Sequence, residues 1–112
     1  MIIVNMILEV DKTFNNKDEI KKYLYSHHDL FYCELKEFNA ELAKKYGEEY
    51  FCMTFVKPNK VVITQRYIKK EDFEKSISMR KYMQEFLIEN KIVSDFLISE
   101  PFEVLYEQRR IL

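Results

Sequence analysis

His27-His28-Asp29, with Cys33 and Glu34 close behind, is the one stretch of this 112-residue chain that groups metal-type and nucleophilic side chains. A structural zinc site needs four ligands at recognisable spacing. On a helix Asp29 and Cys33, four apart, share a face, while the two adjacent imidazoles cannot both join them. The run therefore reads as a helix junction with partly exposed imidazoles, and no metal or other cofactor is expected. A Cys33 nucleophile with His28 as base would need a third, orienting group and an electropositive setting, and neither can be read here. Pairs such as Glu48-Glu49 and Glu34-Glu37 have the composition for acid–base work, which depends on burial to shift a carboxyl's pKa. Carboxylates this frequent read instead as a solvated face. No catalytic residue is assigned, and the chain is expected not to be an enzyme.

Charge offers a stronger pattern. Net charge is −1, yet residues 1–56 hold seven Lys against ten acids, residues 57–81 eight Lys and Arg against three, and residues 82–112 three against six. The basic middle contains Lys57, Lys60, Arg66, Lys69, Lys70, Lys75, Arg80 and Lys81, with Tyr67 and Tyr82 interleaved. Together these form the candidate partner-binding surface: cations for phosphates or an acidic protein, aromatic rings for stacking or interface packing. The plainer reading is a set of scattered lysines answered by Glu71, Asp72 and Glu74.

The element that must carry this surface is a β-hairpin. Tyr50–Val56 and Val61–Ile68 are aromatic and β-branched runs without Gly or Pro, suited to a pleated surface. A type I turn with Pro58 at its second position joins them, with Pro58, Asn59 and Lys60 as the loop. That loop pairs Lys57 with Val61, Phe55 with Ile63, Met53 with Gln65 and Phe51 with Tyr67. The other face then carries Val56–Val62, Thr54–Thr64, Cys52–Arg66 and Tyr50–Ile68.

Around the hairpin, Ile2–Val10 alternates as a strand interior to a sheet. Asn16 caps a helix whose first turn holds Asp18 and Glu19. Continued to Tyr46 as one helix it would run to about 45 Å, too long for a domain roughly 30 Å across. A break is expected near Ser26-His27-His28-Asp29, with Ser26 and Asp29 as a capping box and Gly47 ending the second helix. The competing reading makes Leu30–Lys36 a strand, with Asn39 capping a short helix. Past the hairpin, Lys70-Glu71-Asp72 opens a helix with Phe73, Ile77, Met83 and Leu87 inward, Ser76, Arg80, Lys81 and Glu85 in water, and Asn90 at its end. Ile92–Ile98 and Phe102–Glu107 read as strands, the latter at an edge. The expected fold is α+β: one domain over residues 1–112, mainly antiparallel sheet, element order β-α-α-β-β-α-β-β, with helices packed on one face.

Composition narrows the function classes. A single glycine, Gly47, argues against backbone phosphate cradles. Aromatics reach 15 %, eight Tyr and nine Phe, which fits either an exposed interface or the codon bias of an AT-rich genome. Two cysteines outside any CxxC spacing, with neither a signal peptide nor a membrane-spanning run, point to a cytoplasmic protein. The resulting expectation is a small non-enzymatic inhibitor: an anti-defence (anti-CRISPR-like) or immunity protein of a phage or mobile element, contacting a larger host protein. On that reading the acidic residues Asp29, Glu34, Glu37 and Glu41, or Glu100, Glu103 and Glu107, are an equal choice of contact surface. The alternative is a nucleic-acid-binding regulator using the basic hairpin. No membrane partner is expected, and a homodimer through the Phe102–Glu107 edge fits either reading.

Overall fold

A computed structural model describes the backbone of residues 1–27 and 29–108, with side chains for residues 1–25 and 36–108. The elements are β1 (Ile2–Glu9), α1 (Lys17–His27), α2 (Asp29–Lys45), β2 (Glu48–Val56), β3 (Lys60–Tyr67), α3 (Lys70–Glu89), β4 (Asp95–Ile98) and β5 (Phe102–Glu103). The α+β fold, the element order and the antiparallel sheet all follow the reading above. The competing strand at 30–36 does not form, because those residues are helical. The expected junction at Ser26–Asp29 straddles His28, which lies outside the described residues.

The sheet runs β2-β3-β1-β4, every pairing antiparallel, with β5 continuing the β4 edge beside the start of β1. Two β-α-β units are thus interleaved, and β1 lies inside as its alternation demands. Ile2, Val4, Met6 and Leu8 are buried on the helix side, with Val61, Ile63, Gln65 and Tyr67 of β3 beside them. Ile20 and Leu24 of α1, Phe38 and Leu42 of α2, and Met83 and Leu87 of α3 close over that face as the core. Among the described residues the opposite face carries no helix. Its cross-strand rows are Tyr50–Arg66–Ile3–Phe102 and Thr54–Val62–Ile7–Leu97, with Cys52, Thr64 and Asn5 between them.

Local signals explain most boundaries. Asn16 Oδ1 accepts the Glu19 N–H at 3.0 Å, and Glu19 Oε2 accepts the Asn15 N–H at 2.9 Å, a reciprocal cap on α1. Gly47 ends α2 at φ +64° against the side chain of Asp72. Asn90 caps α3, but the left-handed residue is Lys91 at φ 56°. The Ile92 N–H reaches Leu87 O at 2.9 Å and the Lys91 N–H reaches Ile88 O at 3.0 Å, the Schellman pattern that usually holds glycine at this point. Lys91→Gly is expected to raise stability by about 0.5–1 kcal/mol, because glycine removes the Cβ penalty there. A higher urea midpoint at unchanged slope is the reading that checks it.

Three expectations are corrected. The hairpin pairs Val56 with Lys60, Phe55 with Val61, Met53 with Ile63 and Phe51 with Gln65, a slip of two residues from the expected register. The loop is Lys57-Pro58-Asn59, with a cis Lys57–Pro58 peptide, and it is tied to the chain after β1. The Val10 N–H donates to Asn59 O at 3.0 Å, the Phe14 N–H to Pro58 O at 2.8 Å, and Asn59 Nδ2 to Val10 O at 2.9 Å. A slip of two leaves each side chain on its face. Second, β4 begins at Asp95 instead of Ile92, since residues 91–93 are taken up by the helix cap, and β5 holds only Phe102 and Glu103. Third, α3 turns Phe73, Ser76, Arg80, Met83 and Leu87 inward, whereas Ile77 is 50 % exposed.

Candidate functional site

The expected basic surface does not assemble. Lys57 and Lys60 stand at one end of β3 and Lys69 and Lys70 beyond the other, roughly 25 Å apart by strand rise. Lys75 and Lys81 are exposed on α3. Arg66 is engaged, 3.1 Å from Glu107 and 3.6 Å from Glu49, with its guanidinium over the Tyr50 ring at 5.7 Å. Arg80 and Tyr67, both expected on that surface, are 2 % and 0 % exposed, because both face the core. Tyr82 is exposed on a shallow groove between α2 and α3, with Glu37, Phe38, Glu41, Met79 and Met83. The acidic alternative is divided too: Glu41 pairs with Lys45 at 3.0 Å and Glu107 with Arg66. The Asp29, Cys33 and Glu34 side chains and all of His28 lie outside the described residues, and so does any site built on them.

A buried polar group occupies the far end of the helix-side face. A bulge between Glu48 and Tyr50 reverses the facing of the strand start and turns Glu48 inward while Glu49 stays exposed, which also dissolves that carboxylate pair. Gln65 Nε2 donates to Glu48 Oε2 at 2.6 Å, and Gln65 Oε1 has no partner among the described residues. Arg80 Nη1 donates to Tyr67 Oη at 3.1 Å and Nη2 to Phe73 O at 3.4 Å, with the guanidinium 4.7 Å from the Phe73 ring centroid. Desolvation raises the Glu48 carboxyl to about 7, against the opposing pull of the Gln65 amide and the Arg80 charge. Burial likewise lifts the Tyr67 phenol and lowers the Arg80 guanidinium. With Gln65, Tyr67 and Arg80 each at 2 % exposure or less, this group is a structural strut with no access for a substrate.

Access exists at the other end. A cleft of about 320 Å³ opens between α1 and β2. Its floor is Ile20, Leu24, Phe55 and Val61, its mouth Met53 and Thr54, and its rim Lys17, Asp18, Lys21 and Tyr25. Helical spacing places Lys17, Lys21 and Leu24 along one side of α1, and strand alternation turns Met53 and Phe55 to meet them. The Lys21 ammonium sits 5.7 Å from the Tyr25 ring centroid. No ion pair within 4 Å engages Lys17, Asp18 or Lys21 among the described residues. Sequence reasoning missed this site. Its only trace was an apolar edge-strand face opposite an apolar helix face, which also describes ordinary core.

No family profile matches this sequence, and no curated protein matches it. Among solved structures, a candidate antibiotic biosynthesis monooxygenase from Deinococcus radiodurans is similar over 100 % of this chain and 99 % of its own, at 14 % identity and TM-score 0.64. A dimeric ferredoxin-like protein from an uncultured marine organism is similar over 98 % and 100 %, at 16 % identity and TM-score 0.59. The likeness establishes a ferredoxin-like α+β fold. It also corrects the functional expectations. Neither neighbour is described as an inhibitor, a phage protein or a nucleic-acid binder, and one is described as an enzyme, so the anti-defence or immunity reading, the nucleic-acid alternative and the non-enzyme reading are withdrawn. The geometry agrees for the basic surface, whose lysines are divided between the two ends of β3. Among the described residues no helix is long and apolar enough to cross a membrane.

Proposed function

We propose that this protein binds a small organic molecule in the cleft between α1 and β2, and that it works as a homodimer joined through the open face of its sheet. The cleft carries the first part: an apolar floor with a few convergent polar groups at the rim is the general form of a ligand site. The likeness to a candidate monooxygenase supports an enzyme-like role, and the lining groups of the cleft able to move a proton are Lys17, Asp18, Lys21 and Tyr25. Titration with a library of small acids, amides and phenols is expected to shift the methyl NMR signals of Ile20, Leu24 and Val61. It should also raise the thermal midpoint, since a ligand that favours the folded state stabilises it. Met53→Trp, filling the mouth from a position 37 % exposed, should remove both effects. Shifts that survive the plug would put the ligand elsewhere.

The dimer rests on a separate observation. Tyr50, Val56, Leu97 and Phe102 stand 42–57 % exposed on the helix-free face, flanking the half-buried Ile3, Ile7 and Val62. Two exposed apolar rows on an uncovered sheet face, with a narrow polar row between them, fit an interaction surface, and a neighbour of the same fold is dimeric. Sedimentation is expected to give twice the chain mass of 13.7 kDa, and Leu97→Glu with Phe102→Glu to return it to the monomer. A monomer at high protein concentration would end this part of the reading. The free thiol of Cys52 suits a reducing, cytoplasmic setting.

A further inference from the structure

The open face and the cleft lie on opposite sides of the sheet, so the cleft stays accessible whether or not the chain pairs with a copy of itself. We propose that this cleft takes a compact organic monoanion, a carboxylic acid with one ring or a short branched chain. Its carboxylate would sit at Lys17 and Lys21, and its apolar body against Leu24, Phe55 and Val61. The proposal rests on the small-molecule reading above and adds the chemical class of the ligand.

Charge, shape and size each point the same way. Lys17 and Lys21 are one helical turn apart, so their ammoniums rise on the same side of α1. Against them the lining sets one carboxylate, Asp18, which leaves the rim one positive charge in excess. A monoanion neutralises that excess, while a cation would meet two lysines. A phosphate ester would meet no guanidinium fork and no glycine-built nest of N–H groups, the usual means of holding a dianion. The contact with the Tyr25 ring steadies the Lys21 ammonium at the mouth. Beneath the rim Ile20, Leu24 and Val61 are 3–4 % exposed, and the half-buried Phe55 ring completes an apolar floor that offers a neutral polar body nothing to bond. A volume of about 320 Å³ is at the small end for ligand sites, which favours a single ring over a fused polycycle.

Calorimetric titration with benzoate, cyclohexanecarboxylate and 3-methylbutanoate, each beside its carboxamide, tests the class. At least one acid is expected to bind about tenfold or more tightly than its amide, the difference that a charge-assisted hydrogen bond supplies. Lys17→Gln with Lys21→Gln, both at exposed positions, should bring that acid down to the level of its amide and remove its salt dependence. Amides that bind as tightly as the acids would overturn the monoanion while leaving the small-molecule reading in place. An acid whose affinity ignores the double substitution sits elsewhere, and that also overturns the proposal. If no acid or amide binds or moves the Ile20, Leu24 and Val61 methyl signals, the proposal fails; if the wider library is equally silent, the reading beneath it fails too.

Discussion

Replacing Arg80 by Ala is expected to cost about 3–5 kcal/mol of folding stability, the range seen when one partner of a buried charged network is removed. The Arg80 side chain is 2 % exposed. Its guanidinium bonds Tyr67 Oη and Phe73 O and lies over both rings, at 5.5 and 4.7 Å from their centroids. Truncation empties that space and takes the positive charge away from Glu48. Phe73 O keeps the Ser76 hydroxyl at 2.6 Å, so the loss is concentrated in packing and in the uncompensated carboxyl. Arg80→Met keeps the apolar stem and should lose less, about 2 kcal/mol. Arg80→Lys should not recover the wild type, because a point ammonium cannot span the phenol and the carbonyl as the guanidinium fork does. Urea unfolding followed by circular dichroism measures all three. A loss for Arg80→Ala within about 0.5 kcal/mol, the size of an ordinary surface change, would show that the side chain is no strut.

Arg80 also shows how far the chain could be read in advance. Its inward position was legible from spacing alone: 73, 76, 80, 83 and 87 step by three and four along one helical stripe. The expectation instead followed residue type, and a charged side chain was assigned to water. Tyr67 was misplaced in a related way. It does lie on the hairpin's inner side, but β1 and α3 close over it, and no local pattern announces that. Alternation made β1 legible as an inside strand, and Asn16, Gly47 and Asn90 marked helix ends by chemistry that acts within a turn. Features set by tertiary distance were not legible. The hairpin register depends on hydrogen bonds from Val10 and Phe14 to the loop, the inward turn of Glu48 on a bulge, and the cleft on how far α1 stands off β2. The error in function has the same origin, since eight basic residues close in sequence were read as close in space.

Stability is expected to fall as pH rises from about 4.5 to above 7, and Glu48 is the cause. An acid whose folded pKa, about 7, exceeds its ordinary value of 4.5 holds its proton more tightly in the folded protein. Its stabilising contribution is whole below pH 4.5, declines across the interval and is gone above pH 7, amounting to about 2 kcal/mol once solvent screening is allowed for. The geometry agrees with a neutral acid. The 2.6 Å contact to Gln65 is short for N–H···O and ordinary for O–H···O, and Gln65 Oε1 is buried without a donor among the described residues. A protonated Glu48 reverses the bond when the amide turns over, its O–H donating to that oxygen. Glu48→Gln is neutral at every pH and nearly isosteric, so its unfolding free energy should exceed the wild type's at pH 8 and approach it at pH 5. The difference between the two proteins is the quantity to plot, because it isolates Glu48 from every other pH-dependent contribution. Urea midpoints at pH 5, 6, 7 and 8 supply it, and a difference that stays flat across them would mean that Glu48 is ionised in the folded protein throughout. The same measurement on Arg80→Met should steepen the wild-type slope, because removing the guanidinium takes away a positive charge that holds the carboxyl down.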